Sequence, residues 1–283
     1  MSRIAYVAGQ YLPHRQAAVH IEDRGYQFGD GVYEVIAVVG GRLIDEAPHL
    51  ARLHRSLAEL RIPAPMGDAA LRLVLRETVR RNGVDDGIVY LQVTRGAAPR
   101  DHAFPKTAKP VLVVTSRRSR PPNPRFGRDG VAVITIPDIR WQRCDIKSVA
   151  LVPNVLGKQQ AREAGAYEAW QVDRDGNITE GTSTNAWIVT ADGAVVTRAA
   201  DNAILNGVTR GAVLGIIRGE GYRFVERPFG VEEARAAREA FLTSTTAGLL
   251  PVVRIDGSPL ADGKPGPLSL KLREAYLAHT MSE

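Results

Sequence analysis

Three prolines fall within four residues near the middle of the chain, at Pro121, Pro122 and Pro124. Proline fixes φ and has no backbone N–H, so such a run cannot continue a helix or a central strand. Residues 117–124 therefore predict a linker between two folded parts, and 283 residues are enough for two separate cores. The predicted division is an N-terminal domain at 1–118, a linker at 119–126 and a C-terminal domain at 127–283 that carries Lys147.

Two hairpins are predicted near the start of the chain. Their turns hold Gly9 in one case and Gly40 with Gly41 in the other, and glycine readily adopts the positive φ that tight turns require. The strands are expected at 4–7 with 10–12, and at 32–39 with 42–44.

Helices are predicted from the spacing of apolar residues. Pro48 is expected to open the first, in which leucines recur at 50, 53, 57 and 60 on one face. The other predicted helices are at 68–82, 153–164 and 268–278, with one more opening near Gly207. Further strands are expected at 88–94, 111–115, 130–136, 167–172, 186–189 and 239–243. Because hairpins and helices mix without regular βαβ alternation, the predicted class is α+β, built as two α/β domains.

Composition excludes several classes of protein. No stretch approaches the roughly 18 apolar residues of a membrane helix, and Gly9 interrupts the short apolar start, unlike a signal peptide. The single cysteine, Cys144, allows no internal disulfide and no cysteine-rich metal site. The net charge of +6 comes from arginines scattered among acidic residues, without the aromatic-interleaved stripe of a nucleic-acid binder. We expect a cytoplasmic protein without nucleic-acid or membrane partners.

Lys147 differs from the other five lysines in its surroundings. The others lie in polar or proline-flanked segments, whereas Lys147 precedes an apolar run, 148–152, that is typical of a buried strand. A lysine in such a place is either paired within the structure or positioned so that its amine attacks a carbonyl. Both interpretations remain open from environment alone.

Glu180 heads a segment of small hydroxyl-bearing residues after the turn at Asp175 and Gly176. It is either a solvated acid in a polar loop or an acid that keeps a proton on the nitrogen of a flat heterocycle. In the second case, the small residues would let the ring approach the backbone.

Three places could bind a phosphate group. Residues 205–210 enter a helix whose N-terminus presents free N–H groups, although capping by Asn206 or Thr209 is the simpler interpretation. Residues 243–246 are four consecutive hydroxyl-bearing residues that could donate to the same phosphate. Arg52 is a third candidate, on the polar side of the first helix, where most arginines are solvated.

A carboxylate receptor is the fourth kind of candidate site. Arg100 and His102 lie two residues apart after the strand at 88–94, so an extended loop could turn both side chains to one side. A guanidinium and an imidazole together bind a carboxylate well, but a solvated loop is the alternative. Tyr33 follows a segment that contains three closely spaced glycines. Tight turns explain the glycines, but they do not explain the tyrosine.

In combination, these segments resemble the fold-type IV pyridoxal-phosphate enzymes, and the D-amino acid aminotransferases among them. The resemblance spans nearly the whole chain in one order. The segments that carry it are 24–34, 46–53, 94–102, 145–148 with 153–156, 180–185, 205–210 and 243–246 with Pro251 and Val252.

The resemblance implies specific roles. Lys147 would form the internal aldimine with pyridoxal 5'-phosphate and shuttle the substrate proton, and Glu180 would pair with the ring nitrogen. Leu205 would pack on the ring face. The implied phosphate ligands are Arg52, Val208, Thr209 and Thr245, with Ser244 adjacent in the cofactor site. Tyr33, Arg100 and His102 would hold the substrate α-carboxylate, the last two from the neighbouring subunit of a homodimer.

The implied fold is that of a smaller N-terminal and a larger C-terminal domain with the cofactor between them. The implied reaction is ping-pong transamination between a D-amino acid, such as D-alanine or D-glutamate, and a 2-oxo acid. Alternatives of the same fold are a branched-chain L-amino acid aminotransferase and an aminodeoxychorismate lyase, which anchor the carboxylate differently. Ala247 and Gly248 replace the small polar residue and the acid usual in close relatives, which leaves the side-chain preference open.

Overall fold

The computed structural model describes residues 3–119 and 123–282, which form two compact units. Residues 3–119 and Ile146–Ala150 belong to the first unit, and residues 123–145 and 151–282 to the second. The segment that carries Lys147 therefore packs with the first unit, not with the C-terminal domain as the sequence suggested. Residues 120–122 of the expected linker lie outside the described part of the chain.

Secondary structure continues into both ends of the proline-rich segment, contrary to the sequence prediction. Strand β6 (Val111–Arg118) runs to its second arginine, where Arg118 pairs with Gly87. Pro124 is the first residue of a short helix, α4 (Pro124–Asp129), and Asn123 caps that helix. Proline is tolerated there because the first helical N–H has no partner within the helix.

The first unit is a six-stranded antiparallel sheet with two long helices. Its strands run in the order β2-β1-β6-β5-β3-β4. The elements besides β6 are β1 (Ile4–Val7), β2 (Gln10–Pro13), a 3-10 turn (His14–Gln16), α1 (Arg24–Phe28), β3 (Gly31–Val39), β4 (Arg42–Leu43), α2 (Glu46–Glu59), α3 (Asp68–Asn82) and β5 (Gly87–Thr94). Both predicted hairpins, β1 with β2 and β3 with β4, are confirmed.

Alternation along β3 determines which of its side chains are buried. Val32, Ile36 and Val38 are buried in the core formed with α2 and α3, and Glu34 is buried on the same side of the strand. Helix α2 begins at Glu46, two residues before Pro48, where the sequence placed the start.

The second unit contains a nine-stranded mixed sheet. Its main path is β12-β11-β10-β13-β14-β7-β8-β9, and β15 pairs with β14. The strands are β7 (Val131–Pro137), β8 (Glu168–Val172), β9 (Ile178–Gly181), β10 (Asn185–Val189), β11 (Val195–Thr197), β12 (Phe224–Glu226), β13 (Glu239–Ser244), β14 (Gly248–Ile255) and β15 (Ser258–Pro259). The helices besides α4 are α5 (Val152–Glu163), α6 (Val208–Gly219), α7 (Val231–Arg235) and α8 (Pro267–Ser282).

The central strands of this sheet are buried on both faces. In β10, Ala186 and Ile188 face one core, whereas Trp187 and Val189 face a second core formed with α6 and α8. Burial on both faces explains why β10 is continuously apolar after its first residue, Asn185. The predicted α+β class is confirmed. Among the described residues, no helix combines the length and the apolar character that crossing a membrane requires.

Candidate active site

The segment Ile146–Ala150 is tied to β3 by backbone hydrogen bonds within the first unit. The Tyr33 N–H donates to the Lys147 carbonyl oxygen at 3.0 Å, and the Val149 N–H donates to the Gly31 carbonyl oxygen at 3.0 Å. The segment therefore lies against the start of β3, and Lys147 and Tyr33 become neighbours although 114 positions separate them.

The apolar run after Lys147 is not the buried strand that the sequence suggested. Ser148 forms a single bridge with Val32, Ala150 is exposed, and helix α5 begins at Val152, which is 69 % exposed. The branched apolar residues of this run favoured the prediction of a strand. The backbone instead enters helix α5 within four residues of Ser148.

The amine of Lys147 lies over an aromatic surface. Its Nζ is 4.3 Å from the centroid of the Tyr33 ring, and Tyr90 lies 5.7 Å from Tyr33 between ring centroids. The Tyr90 hydroxyl donates to Gln92 Oε1 at 2.7 Å, and burial raises the pKa of Tyr90 to about 12. Lys147 is half-buried, so its amine is neither sealed in the core nor fully solvated.

Arg52 is not a solvated surface arginine. Its Nε and Nη2 donate to the two carboxylate oxygens of Glu34, both at 2.7 Å, and Glu34 is fully buried. His49 Nδ1 lies 2.8 Å from the same carboxylate. Burial alone would raise the pKa of Glu34, but Arg52 and His49 outweigh it and lower this pKa to about 2. Burial lowers the pKa of His49, so a neutral ring donates to Glu34.

The loop after β5 turns Arg100 and His102 towards one aromatic ring. The Arg100 guanidinium carbon is 5.0 Å from the centroid of Phe28, and the His102 ring centroid is 5.4 Å from it. Buried Arg24 supports this loop from beneath by donating to the carbonyl oxygens of Asp101 and Ala103. Arg100 and His102 are both exposed.

In the second unit, Glu180 is a buried carboxylate surrounded by donors. Arg140 Nη1 donates to it at 2.5 Å, Asn185 Nδ2 at 3.0 Å and the Leu205 N–H at 3.1 Å. Asp138 holds Arg140 in turn, with 2.7 Å between Asp138 Oδ2 and Arg140 Nη2. A solvated loop acid, the simpler alternative for Glu180, is therefore excluded.

Asn185 links Glu180 to the loop that enters α6. Its amide donates both to Glu180 and to the Leu205 carbonyl oxygen, the latter at 2.9 Å. A Cβ at Gly207 would lie only 2.1 Å from Asn185 Oδ1, so this close approach requires glycine.

The N-terminus of α6 has no capping side chain. Gly207, not Asn206 or Thr209, is its cap residue, and no side-chain cap hydrogen bond forms there, contrary to the simpler interpretation of the sequence. The first N–H groups of the helix, including those of Val208 and Thr209, need partners from outside the helix. Thr209 is buried, with its Oγ1 3.4 Å from the hydroxyl of Tyr276 on α8.

The hydroxyl run at the end of β13 has two kinds of environment. Thr243 is buried and accepts a hydrogen bond from Trp187 Nε1 at 3.0 Å, so its hydroxyl is used inside the core. Ser244 and Thr245 are half-buried at the turn, where Ser244 Oγ accepts from the Ala247 N–H.

Comparison with known proteins identifies the family. The amino-transferase class IV family model matches residues 31–255. The D-alanine aminotransferase of Bacillus licheniformis is 43% identical over 275 residues, which cover 97% of this chain and 96% of that protein. The chain belongs to the class IV aminotransferases. A second D-alanine aminotransferase, from Staphylococcus haemolyticus, is 39% identical over 96% of this chain and 95% of its own.

Solved class IV structures share the fold. The branched-chain aminotransferase of the archaeon Thermoproteus uzoniensis, solved with norvaline, has a TM-score of 0.86 at 25% identity, over 98% of this chain and 94% of the other. The Escherichia coli branched-chain amino acid aminotransferase has a TM-score of 0.91 at 20% identity, over 99% and 95%. At the lower identity the similarity concerns the fold alone.

The second unit of this class IV aminotransferase has the chemistry that a phosphorylated, protonated heterocycle needs. A helix N-terminus without a capping side chain suits a phosphate group. Asp138, Arg140 and Glu180 together carry one net negative charge, which suits a protonated ring nitrogen. These residues therefore fit pyridoxal phosphate.

Sequence reasoning missed several members of this arrangement. Asp138 and Arg140 belong to no motif, and their importance follows only from the hydrogen bond of Arg140 to Glu180, forty positions away, and from the pairing of Asp138 with Arg140. Glu168 was also missed: it is fully buried and accepts from the hydroxyls of Thr182 and Ser183, next to Glu180 in the chain. A glutamate at the start of a mostly apolar strand was the one available signal.

Proposed function

We propose that this protein transfers an amino group between a D-amino acid and a 2-oxo acid, with pyridoxal 5'-phosphate as its cofactor. The observation that carries the proposal is the high identity to D-alanine aminotransferases along nearly the whole length of both chains. D-Alanine is therefore the first substrate to test. With no membrane helix among the described residues, the proposed location is the cytoplasm.

Lys147 is the proposed catalytic residue. When bound, the cofactor supplies an aldehyde to the amino group and a ring that withdraws electrons from the bond broken at Cα. Lys147 would hold the cofactor through Nζ and, once released by the substrate, would take the proton from the substrate Cα. Its half-buried position over the face of Tyr33 supports this role, because a fully solvated amine would be poorly oriented.

The remaining proposed cofactor ligands would contact the ring nitrogen, the ring face and the phosphate group. Glu180 would accept a hydrogen bond from the protonated ring nitrogen, and Leu205 would pack against the ring face. The phosphate ligands would be Arg52, Val208, Thr209 and Thr245, with Ser244 adjacent. Two nitrogens of Arg52 already bind Glu34, so its share in binding phosphate would come from its charge and the rest of the guanidinium.

The substrate α-carboxylate would be held by Tyr33, Arg100 and His102. We propose that Arg100 and His102 act in the site of a second copy, in a homodimer with shared sites. Both side chains are exposed, and so are two aromatic residues near them or their partner Phe28 in the chain: Phe104 is 53 % and Tyr26 is 77 % exposed. Exposed apolar surface beside charged groups is typical of a protein interface.

A branched-chain L-amino acid aminotransferase is the second candidate, because the two solved structures of that activity share the fold. Their sequence identities of 20% and 25% are well below the 43% of the Bacillus licheniformis D-alanine aminotransferase, which favours the D-amino acid assignment. An aminodeoxychorismate lyase would differ by releasing pyruvate without any 2-oxo acid acceptor.

The deciding experiment is a half-reaction with the purified holoenzyme. D-Alanine should abolish the visible absorption of the bound cofactor, whereas L-alanine and L-leucine should leave it unchanged. Borohydride should fix the cofactor on a peptide that contains Lys147, and Lys147→Ala should prevent this, while Lys271→Ala on the exposed face of α8 should not. Bleaching by L-leucine and not by D-alanine would replace the proposal with the branched-chain activity.

A further inference from the structure

Arg140 joins two carboxylates in the second unit. Its Nη1 donates to Glu180 at 2.5 Å, while its Nε and Nη2 donate to the two oxygens of Asp138 at 3.0 and 2.7 Å. The Thr179 hydroxyl also donates to Asp138, at 2.8 Å. All three ionisable side chains are at most 11 % exposed, so their charges interact strongly.

The charges of this group decide what Glu180 can do. An arginine paired with Glu180 alone would cancel the charge of that carboxylate. Asp138 supplies a second negative charge to Arg140, so the three side chains together carry one net negative charge. Glu180 is therefore oriented by Arg140 while the group as a whole still attracts a cation.

We infer that Asp138 and Arg140 are positioning residues that set how strongly the cofactor's ring nitrogen keeps its proton. Arg140 fixes the Glu180 carboxylate in place, and Asp138 offsets the charge of Arg140 so that Glu180 is not neutralised. Neither residue needs to touch the cofactor, because charge acts across a buried group of side chains. This inference rests on the proposed function in one respect, that Glu180 faces the ring nitrogen.

The neighbouring ionisable groups leave this charge balance intact. Burial raises the pKa of Cys144 to about 12, so its thiol is neutral. Arg143 and Asp145 pair with each other, at 3.0 Å. Burial opposes ionisation of both members of the central pair, yet the contact with Arg140 lowers the pKa of Asp138, and the two carboxylates raise the pKa of Arg140.

The test compares the holoenzyme with three charge variants. Asp138→Asn brings the net charge of the group to zero, Arg140→Met brings it to minus two, and the double variant restores minus one. The probe is pyridoxal 5'-phosphate labelled with nitrogen-15 in the ring, whose chemical shift is followed against pH. An anionic neighbour favours the protonated ring, so Asp138→Asn should lose the ring proton about one pH unit lower, with about tenfold weaker cofactor binding.

Arg140→Met should shift the loss of the ring proton to higher pH, and the double variant should lie between the two single variants. A purely structural role would instead make the double variant the worst. The matched control is Asp256→Asn, because Asp256 also binds an arginine and a threonine hydroxyl, Arg235 at 2.8 Å and Thr135 at 2.9 Å, without contacting Glu180.

The outcomes separate this inference from the proposed function. If the unaltered protein binds no cofactor, the proposed function fails before the charge variants are needed. If it binds cofactor with a protonated ring but Asp138→Asn titrates like Asp256→Asn, the inference fails alone. The two single variants are expected to shift the pH at which the ring proton is lost in opposite directions. Either variant alone therefore tests the inference if the other does not fold.

Discussion

Glu34 on β3 and Arg52 on α2 form a buried two-point ion pair, with both hydrogen bonds 2.7 Å long. Because Glu34 is fully buried, its negative charge depends on the positive charge of Arg52 and on the hydrogen bond from His49. Breaking a buried pair by removing one partner's charge costs about 3–5 kcal/mol, since the other charge stays buried without compensation.

Glu34→Gln should therefore lower the free energy of unfolding by about 3 kcal/mol. Urea denaturation of the protein without cofactor measures this loss directly. The control is Glu77→Gln, because Glu77 also binds two arginines on α3 but is only half-buried. A loss no larger than that of Glu77→Gln would contradict the structural importance of the buried pair.

The same pair predicts acid sensitivity. The pKa of Glu34 is lowered to about 2 in the folded protein, below its ordinary value of 4.5. A group whose pKa is lowered on folding binds fewer protons in the native state, so its stabilisation is complete above the ordinary pKa and is lost as pH falls towards the folded value. Stability should therefore decline between about pH 4.5 and 2, and this decline should be shallower in Glu34→Gln. If stability falls equally with pH in the two proteins, Glu34 is not the cause of the acid sensitivity.

A glycine next to the candidate cofactor site offers a sharper probe of local packing. A Cβ at Gly207 would lie 2.1 Å from Asn185 Oδ1, and Asn185 binds both Glu180 and Leu205. Gly207→Ala should therefore displace Asn185 and weaken cofactor binding by at least about tenfold, because a shift of the Glu180 contacts costs about 1.4 kcal/mol or more.

Gly211→Ala is the matched control for that substitution. Gly211 lies one turn further along α6, and a Cβ there meets nothing within 4 Å. Alanine in a helix interior is favoured over glycine by about 0.5–1 kcal/mol, so this variant should be slightly more stable, with unchanged cofactor affinity. Titration of the apoprotein with pyridoxal phosphate distinguishes the two variants, and equal affinities would contradict the packing argument.

Local signals in the sequence predicted much of the fold. Gly9, Gly40 and Gly41 all have positive φ, and both hairpins form at these turns. Asp68 and Gly83 mark the start and the end of α3, because an acid favours the first turn and a glycine accepts the left-handed cap. By contrast, the five-residue helix α1 was missed, because crowded glycines obscured the capping signal of Asp23.

Features that depend on distant contacts were not predictable from one sequence. Arg52 has the same polar helix neighbours as any solvated arginine, and only the fold places it beside Glu34, 18 positions earlier. Residues Ile146–Ala150 were expected in the C-terminal domain because they follow the prolines, but backbone pairing with β3 holds them in the first unit. The residue types indicated which chemical groups to consider, whereas the contacts that each group makes depend on tertiary structure.

Arg100 provides the last prediction, on substrate binding. If Arg100 holds the substrate carboxylate, Arg100→Ala should keep normal cofactor affinity but raise the KM for D-alanine by about 10- to 100-fold, the value of one charge-assisted hydrogen bond. Exposed Arg174, in a turn of the second unit, is the control, and Arg174→Ala should behave like the unaltered protein.

Mixing inactive variants tests whether Arg100 acts in the site of a second copy. In a dimer of one Arg100→Ala chain and one Lys147→Ala chain, the first chain supplies Lys147 and the second supplies Arg100, so one of the two sites is intact. Random reassembly of equal amounts makes half of the dimers mixed, so about one quarter of the full number of sites should be active. Each variant alone should remain impaired at low D-alanine concentration. No recovery on mixing, with dimers demonstrated by sedimentation, would place Arg100 and Lys147 in the same chain's site, because only a shared site can be rebuilt from two defective copies.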